Sequence, residues 1–333
     1  MNNQGEVEAV TEPGDHSDRQ AARYIISAPD AQGLAIGGGA QVVQNVYAAP
    51  PPPSISRDDW LAAIYEAGSV LRLYRNTIAG IAIGRAEVAQ IGDWALNAEP
   101  KERLGMLLDQ PGGGKTVVMR GVLEYLEATG VPVLAIKADT LSGIKTPADL
   151  VAWLRLPAAV EACARSLALE GRFVVLLDQL DALSLTLSRD QTTLNVMLDA
   201  LARLRAIPGV RMIASCRTFD LNNNPQLSAI TTDRTFRLQP LTEDQVDPVL
   251  RAIGIDPTRL LPAHRALLSV PLHLDVYARV VVSDAHQGIA ESFHTLQELY
   301  AALWQQQIMA IRPSSLRPQV DCVGISPFST FAR

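Results

Sequence analysis

The stretch Leu107–Met119, which reads LLDQPGGGKTVVM, decides the fold of this chain. Two leucines end a predicted buried strand, a glycine-rich turn follows, and a helical run opens after Lys115 and Thr116. A phosphate-binding loop needs a strand, such a turn and a helix in this order. Backbone N–H groups can converge on an anion here, because glycines carry no Cβ and the helix N-terminus is electropositive. The residues predicted to contact phosphate or nucleotide are Pro111, Gly112, Gly113, Gly114, Lys115, Thr116 and Val117.

The same stretch departs from the pattern G-x-x-x-x-G-K-[ST] at one position. Asp109 stands where the pattern has its first glycine, whereas Gly114, Lys115 and Thr116 match. A chance glycine-rich turn ahead of a lysine is the alternative interpretation. The flanking strand and helix favour a phosphate loop, in which Lys115 reaches the phosphates and the Thr116 hydroxyl is a Mg²⁺ ligand.

Composition and charge limit the class of protein. The 333 residues are enough for about two domains, and 48% hydrophobic residues indicate a globular chain. A net charge of −6 does not favour a broad nucleic-acid surface. The three cysteines form no C-x-x-C pair, and we find neither a signal peptide nor an apolar run of about 18 residues. We therefore expect a cytoplasmic protein with no membrane partner.

Short apolar runs alternate with helical patterns around the glycine-rich stretch. Strands are predicted at Val131–Ile136, Arg172–Leu177, Val210–Ala214 and Thr235–Leu238, and helices over 56–81, 146–170 and 192–205. This alternation predicts an α/β fold with a mainly parallel sheet. From Pro240 onward only helices are predicted: Leu241–Ile253, Arg259–Leu268, Pro271–Val282 and Phe293–Met309.

We divide the chain accordingly. The predicted parts are a disordered, low-complexity segment over 1–55 with a proline-rich linker, a helical lead-in over 56–98, an α/β core over 99–240, a small all-α domain over 241–311 and an irregular tail over 312–333. Residues 33–47 mix glycine with alternating apolar residues, which fits a hairpin or a strand used in self-association.

Polar residues follow two of the predicted strands, at the edge where ligands bind in parallel sheets. Asp178 ends the run RFVVLL and is predicted to serve Mg²⁺ together with Thr116. Next to it, Gln179 is an amide that cannot accept a proton. Asp181 is either the group that activates water or a loop carboxylate. Arg217 is either a sensor of the terminal phosphate or a surface arginine.

The ordered set of motifs resembles the STAND class of signal-transducing P-loop ATPases, and within it the NACHT-like bacterial members. The segments that carry the resemblance are IGRAEV (83–88), DQPGGGKT (109–116), LLDQLDAL (176–183), ASCR (214–217), LQPLTEDQV (238–246) and VPLHL (270–274). The match covers about residues 81–311. By this resemblance, Ile83 and Arg85 lie on the adenine side of the site and Pro271 packs near the base.

The resemblance implies a P-loop NTPase core of the AAA+/STAND type followed by a helical lid. It implies ATP or ADP with Mg²⁺ as cofactors, and Lys115, Asp178, Asp181 and Arg217 as catalytic residues. An ADP-bound monomer would open on ATP exchange into a homo-oligomer that triggers a response, in bacterial regulation or phage defence. The trigger or effector protein that would be its partner is unknown. Hydrolysis is expected to be slow, since Ala182 stands where this class often has glutamate.

Two alternatives remain open from the sequence. One is an AAA+-type ATPase that acts on DNA, although the acidic balance makes a nucleic-acid partner an unfavoured prediction. The other is a nucleotide-binding scaffold that does not hydrolyse its ligand. The family usually continues into a winged-helix domain and sensor repeats, so we expect this chain to be a truncated or frameshifted member, or a naturally short one.

Overall fold

The computed structural model describes residues 55–169, 171–184, 191–283 and 295–303, which belong to one compact unit, Ile55–Arg333. The predictions for residues 1–54, including 33–47, and for the tail over 312–333 lie outside the described residues.

The strands are β1 (Thr77–Ile78), β2 (Ile81–Ala82), β3 (Leu104–Asp109), β4 (Val133–Lys137), β5 (Phe173–Asp178), β6 (Val210–Arg217) and β7 (Arg234–Arg237). The helices are α1 (Arg57–Ala67), α2 (Ser69–Arg72), α3 (Ala86–Asn97), α4 (Lys115–Ala128), α5 (Pro147–Leu154), α6 (Val160–Ala168), α7 (Thr192–Arg205), α8 (Thr218–Asn223), α9 (Pro225–Ser228), α10 (Glu243–Ala252), α11 (Pro262–Leu268), α12 (Pro271–Ser283) and α13 (Leu296–Leu303). Short 3₁₀ turns cover Ala138–Thr140, Leu180–Ser184 and Pro257–Arg259.

Five parallel strands form the central sheet in the order β4-β5-β6-β3-β7. The α/β fold with a parallel sheet is therefore confirmed. β6 lies between β3 and β5, with Asp109 of β3 opposite Arg217 of β6. On the other side of β5, Lys137 of β4 lies opposite Asp178. The register thus brings these four side chains to the carboxyl edge of the sheet.

Both faces of the sheet are covered, which is why its strands read as continuous apolar runs. Side chains alternate along β5: Val175 and Leu177 join a core with α1, α5, α6 and α7, whereas Val174 and Leu176 join a core with α3 and α4. A third apolar cluster unites α10, α11 and α12 and has residues of the β1–β2 hairpin packed against it.

The predicted helix over 56–81 is wrong beyond Arg72. α1 begins with a capping box at Ser56 and Asp59, and α2 ends at Arg72. The chain then forms the antiparallel β1–β2 hairpin, in which Ile78 pairs with Ile81. Ala79 and Gly80 both have positive φ, as a two-residue type I′ hairpin turn requires.

The predicted helix over 146–170 is two helices, α5 and α6. Arg155 ends α5 in the left-handed conformation, with φ of 52°. Pro157 follows two residues later, and a proline disfavours helix at the residue before it. The remaining predicted strands agree with the structure to within a few residues.

Candidate functional site

The loop between β3 and α4 is shaped by two glycines with positive φ. Gly112 and Gly114 have φ of 83° and 92°, a region that glycine adopts without strain. Gly114 is the N-cap of α4, so the first helical residues are Lys115 and Thr116. The N-terminus of α4 therefore opens toward this loop, with its unpaired N–H groups and positive dipole end.

Lys115 is buried and folds back over the loop. Its Nζ donates to the carbonyl oxygens of Asp109, at 3.1 Å, and Gln110, at 3.0 Å. Burial lowers the pKa of Lys115, and the negative charges of Asp109 and Asp181 partly offset that effect. The ammonium group is thus held at the loop by backbone carbonyls, which an incoming anion could replace.

The departure at Asp109 is accommodated by Gly113. A Cβ on residue 113 would lie 1.4 Å from Asp109 Oδ2 and 2.5 Å from its Cγ. The aspartate carboxylate therefore occupies the space that a side chain at position 113 would need. The loop has a glycine at 113 where the pattern allows any residue, and a side chain at 109 where the pattern has glycine.

The candidate magnesium side is formed by Thr116 and Asp178. Asp178 is fully buried, and its Oδ1 accepts a hydrogen bond of 2.6 Å from the Ser215 hydroxyl. Its Oδ2 is buried and has no hydrogen bond of normal geometry to any residue that the structure describes, although the Thr116 hydroxyl lies close enough to affect the carboxyl group. Burial raises the pKa of Asp178, while the hydroxyls of Ser215 and Thr116 lower it. An unpartnered buried carboxylate oxygen beside a threonine hydroxyl fits a divalent cation, because Mg²⁺ prefers oxygen ligands.

Gln179 connects Thr116, in the first turn of α4, with Ser215 of β6. Its Nε2 donates to Thr116 Oγ1 at 3.1 Å, and its backbone N–H donates to Ser215 Oγ at 2.8 Å. Gln179 has φ of 60°, a conformation that is uncommon for residues other than glycine. The Gln179 side-chain amide thus positions the Thr116 hydroxyl, which is the predicted Mg²⁺ ligand.

Asp181 and Arg217 form an ion pair at the mouth of the loop. Arg217 Nε lies 3.0 Å from Asp181 Oδ2, and the Arg217 backbone N–H donates to Oδ1 at 3.1 Å. Burial raises the pKa of Asp181, and Arg217 lowers it. The effect of burial is the larger one, so the net pKa of Asp181 is raised. Each carboxylate oxygen has one contact with Arg217 and keeps a lone pair that can accept another hydrogen bond.

On the predicted adenine side, Arg85 connects the start of α3 to the segment that follows β7. Its Nη2 lies 3.2 Å from Glu87 Oε1 and donates to the Gln239 carbonyl oxygen at 2.7 Å. The Gln239 N–H in turn donates to Glu87 at 2.9 Å. Burial raises the pKa of Glu87, but the Gln239 N–H and Arg85 together outweigh it, so the net pKa is lowered.

The start of α12 contacts the glycine-rich loop between β3 and α4 directly. The Leu272 N–H, at the start of α12, donates to the Gly112 carbonyl oxygen at 3.1 Å. The Leu272 and Pro271 side chains lie over Gly112 and Gly114, where a Cβ would meet them at 2.9 and 3.5 Å. Pro271 therefore contacts the loop itself. One turn further, Asp275 pairs with Arg279 at 2.6 Å.

A cavity of about 330 Å³ joins these parts. Its lining includes every predicted site residue except Asp178, which is buried behind Gln179 and Thr116. The sequence analysis missed further lining residues: Tyr74, Arg75, Asn76, Leu241, Leu272, Asp275 and Arg279. The only sequence signal for Leu272 and Asp275 was their closeness to Pro271. A larger groove of about 640 Å³ along β7 contains none of the predicted residues.

Two properties of the described residues bear on partners. They contain no group of three or more histidine, cysteine or acidic side chains that could hold a metal ion. A magnesium site would therefore depend on Thr116, Asp178 and ligand phosphates. No helix among the described residues has the length and apolar character needed to cross a bilayer.

No protein-family model matches this chain, and a search of curated proteins finds no relative.

Proposed function

We propose that this protein is a P-loop NTPase that binds ATP or ADP with Mg²⁺ and acts as a signal-transduction switch of the STAND type. The observation that carries the proposal is the convergence at one sheet edge of the glycine-rich loop, the buried Lys115 and the unpartnered Asp178 oxygen. A loop, a cation and a carboxylate in this arrangement fit the phosphates of a nucleotide and their metal ion.

In this proposal each residue of the site has a separate role in binding the nucleotide. Loop N–H groups and Lys115 bind the phosphates, Thr116 and Asp178 hold Mg²⁺, and Arg217 senses the terminal phosphate. Bound Mg²⁺ would neutralise phosphate charge. Ile83, Arg85 and Pro271 contribute to the base side of the cavity.

Slow hydrolysis is part of the proposal. Gln179 follows Asp178 and is engaged with Thr116 as a hydrogen-bond donor, so it offers no base. Asp181 is the acid that we propose as the base, and Arg217 binds both of its oxygens. The same observation favours a second candidate, a nucleotide-dependent scaffold without turnover.

The switch itself is supported by the contact between α12 and the phosphate loop. Because the Leu272 N–H bonds to Gly112, a ligand that changes the loop also changes this contact. Differential binding of ADP and ATP can then shift the position of the helical part. We propose that this shift controls a homo-oligomer and, through it, an effector protein.

Nucleotide binding to the purified protein tests the proposal. We expect ADP and ATP to bind with Mg²⁺, and Lys115→Met to weaken binding by at least about tenfold, because a charged hydrogen bond is worth roughly 1.5–3 kcal/mol. Lys101→Met is the matched control, since Lys101 is exposed and its ion pair in the described part of the chain is with Glu99. GTP and duplex DNA are included as alternative ligands.

The outcomes separate the candidates. Equal binding by wild type and Lys115→Met, or no binding by a folded wild type, would refute a phosphate loop. Turnover that falls in Asp181→Asn supports the hydrolysing switch, whereas binding without turnover supports the scaffold. Turnover stimulated by DNA would favour a DNA-associated ATPase.

A further inference from the structure

Asp109 places a negative charge on the phosphate loop. Its Oδ2 lies where a Cβ of residue 113 would be, and the carboxylate is only partly exposed. Among the residues that the structure describes, none donates a hydrogen bond to this carboxylate or forms an ion pair with it. The carboxylate is thus held by loop geometry rather than by a cationic partner of its own.

The charge of Asp109 acts on Lys115. Asp109 has the largest charge–charge effect on the pKa of Lys115, ahead of Asp181 and Arg217. Lys115 also donates to the backbone carbonyl of the same residue. A carboxylate whose negative charge acts on Lys115 also repels an anion that binds to Lys115.

Such repulsion depends on the charge of the ligand. Free ATP carries about four negative charges at neutral pH, and its Mg²⁺ complex carries about two, because the ion adds two positive charges. The loop N–H groups contact both ligands alike. A fixed carboxylate beside the loop therefore penalises the free nucleotide more than the complex.

We propose that Asp109 is a specificity-determining residue that selects the Mg²⁺ complex of the nucleotide over the free polyphosphate. This inference rests on the proposed nucleotide site and adds to it a reason for the unusual residue at the first position of the loop pattern. The glycine at 113 is what allows the carboxylate to lie there.

Asp109→Asn tests the inference, since it removes the charge and keeps the shape. Dissociation constants of ATP and ADP are measured with Mg²⁺ and with EDTA at low ionic strength. Two unit charges about 8 Å apart in a water-like medium change an affinity by about twofold. The two extra charges of free ATP should therefore raise its affinity for Asp109→Asn about fivefold more than that of the Mg²⁺ complex. High salt should reduce this difference.

The control is Glu99→Gln, which removes one negative charge from an exposed residue that pairs with Lys101 at the opposite end of β3. It should leave the ratio of the two affinities unchanged. Asp109→Gly is a second variant that should give the same shift as Asp109→Asn, and thermal unfolding of both checks that they fold.

Each outcome has one meaning. Equal gains for free and complexed nucleotide, or no gain in either variant, would overturn the charge selection while the nucleotide site stands. Absence of any nucleotide binding in wild type and variants alike would instead refute the proposed function. A selective gain for free ATP in both variants supports Asp109 as the selecting residue.

Discussion

Asp109 has its carboxyl group in the space beside Gly113, so we predict that the effect of a mutation at one of these two positions depends on the residue at the other. Gly113 does not have positive φ, so its backbone accepts an alanine. The added Cβ would lie 1.4 Å from Asp109 Oδ2 and 2.5 Å from its Cγ, with the next nearest atom, Oδ1, at 3.3 Å. Carbon atoms in favourable contact are about 3.5–4.0 Å apart, so the whole carboxyl group must rotate away by about 2 Å.

The magnitude follows from these distances. Forcing an extra carbon into a filled space destabilises a protein by typically about 1–3 kcal/mol. Replacing glycine by alanine at a compatible position returns about 0.4–1 kcal/mol through the unfolded state. We therefore expect Gly113→Ala to lower the free energy of unfolding by about 1–2 kcal/mol. In the Asp109→Gly background the same alanine should have no unfavourable effect, because the colliding carboxyl group is gone.

Urea unfolding of wild type, both single variants and the double variant measures this coupling as a double-mutant cycle. Gly84→Ala is the control for a general glycine-to-alanine effect, since no atom lies within 4 Å of a Cβ built there and its φ is not positive. A coupling free energy near zero, with alanine at 113 equally unfavourable in both backgrounds, would refute the geometry described for Asp109.

Two further variants test the carboxylates that support the sheet edge and the start of β3. Burial raises the pKa of Asp178 above its ordinary value of 3.8, so the folded state holds that proton more tightly and the contribution of this group to stability should fall as the pH rises above 3.8. Asp178→Asn should therefore gain stability relative to wild type between pH 4 and 7 in EDTA, and urea unfolding that shows the reverse trend would contradict this. Asp233 accepts hydrogen bonds from the N–H groups of Arg103 and Leu104, at 2.8 and 2.9 Å, and pairs with Arg205 at 2.6 Å. Asp233→Ala should lower the free energy of unfolding by about 2–4 kcal/mol, and Asp233→Asn by less, whereas equal midpoints in urea would argue against this anchor.

The strands of the central sheet could be predicted because burial on both faces leaves a continuous apolar run. RFVVLL is the clearest case, and it became β5. The hairpin at β1 and β2 could not be predicted, because Ile78 and Ile81 are three residues apart and fit a helix as well. The left-handed Ala79 that makes the turn has no signature in the sequence.

The candidate site likewise has parts that could be predicted from the sequence and parts that could not. The loop and Lys115 could be predicted because residues close together in the sequence form them. The bond from Leu272 to Gly112 joins residues about 160 positions apart, so no pattern within one stretch could indicate it. The contact of Asp109 with Gly113 spans only four positions, yet it depends on the direction in which the carboxyl group points.

The pairing of charges at the loop has a consequence for any anionic ligand. Lys115 is bonded to two backbone carbonyls, and Arg217 is bonded to Asp181, so neither cation is without a partner before a ligand arrives. A phosphate must therefore exchange these contacts rather than fill an empty position. If Asp181 activates water as proposed, exchange of its contact with Arg217 changes the base at the moment when the ligand binds. On the proposed function, we therefore expect nucleotide binding and hydrolysis to be coupled through this ion pair.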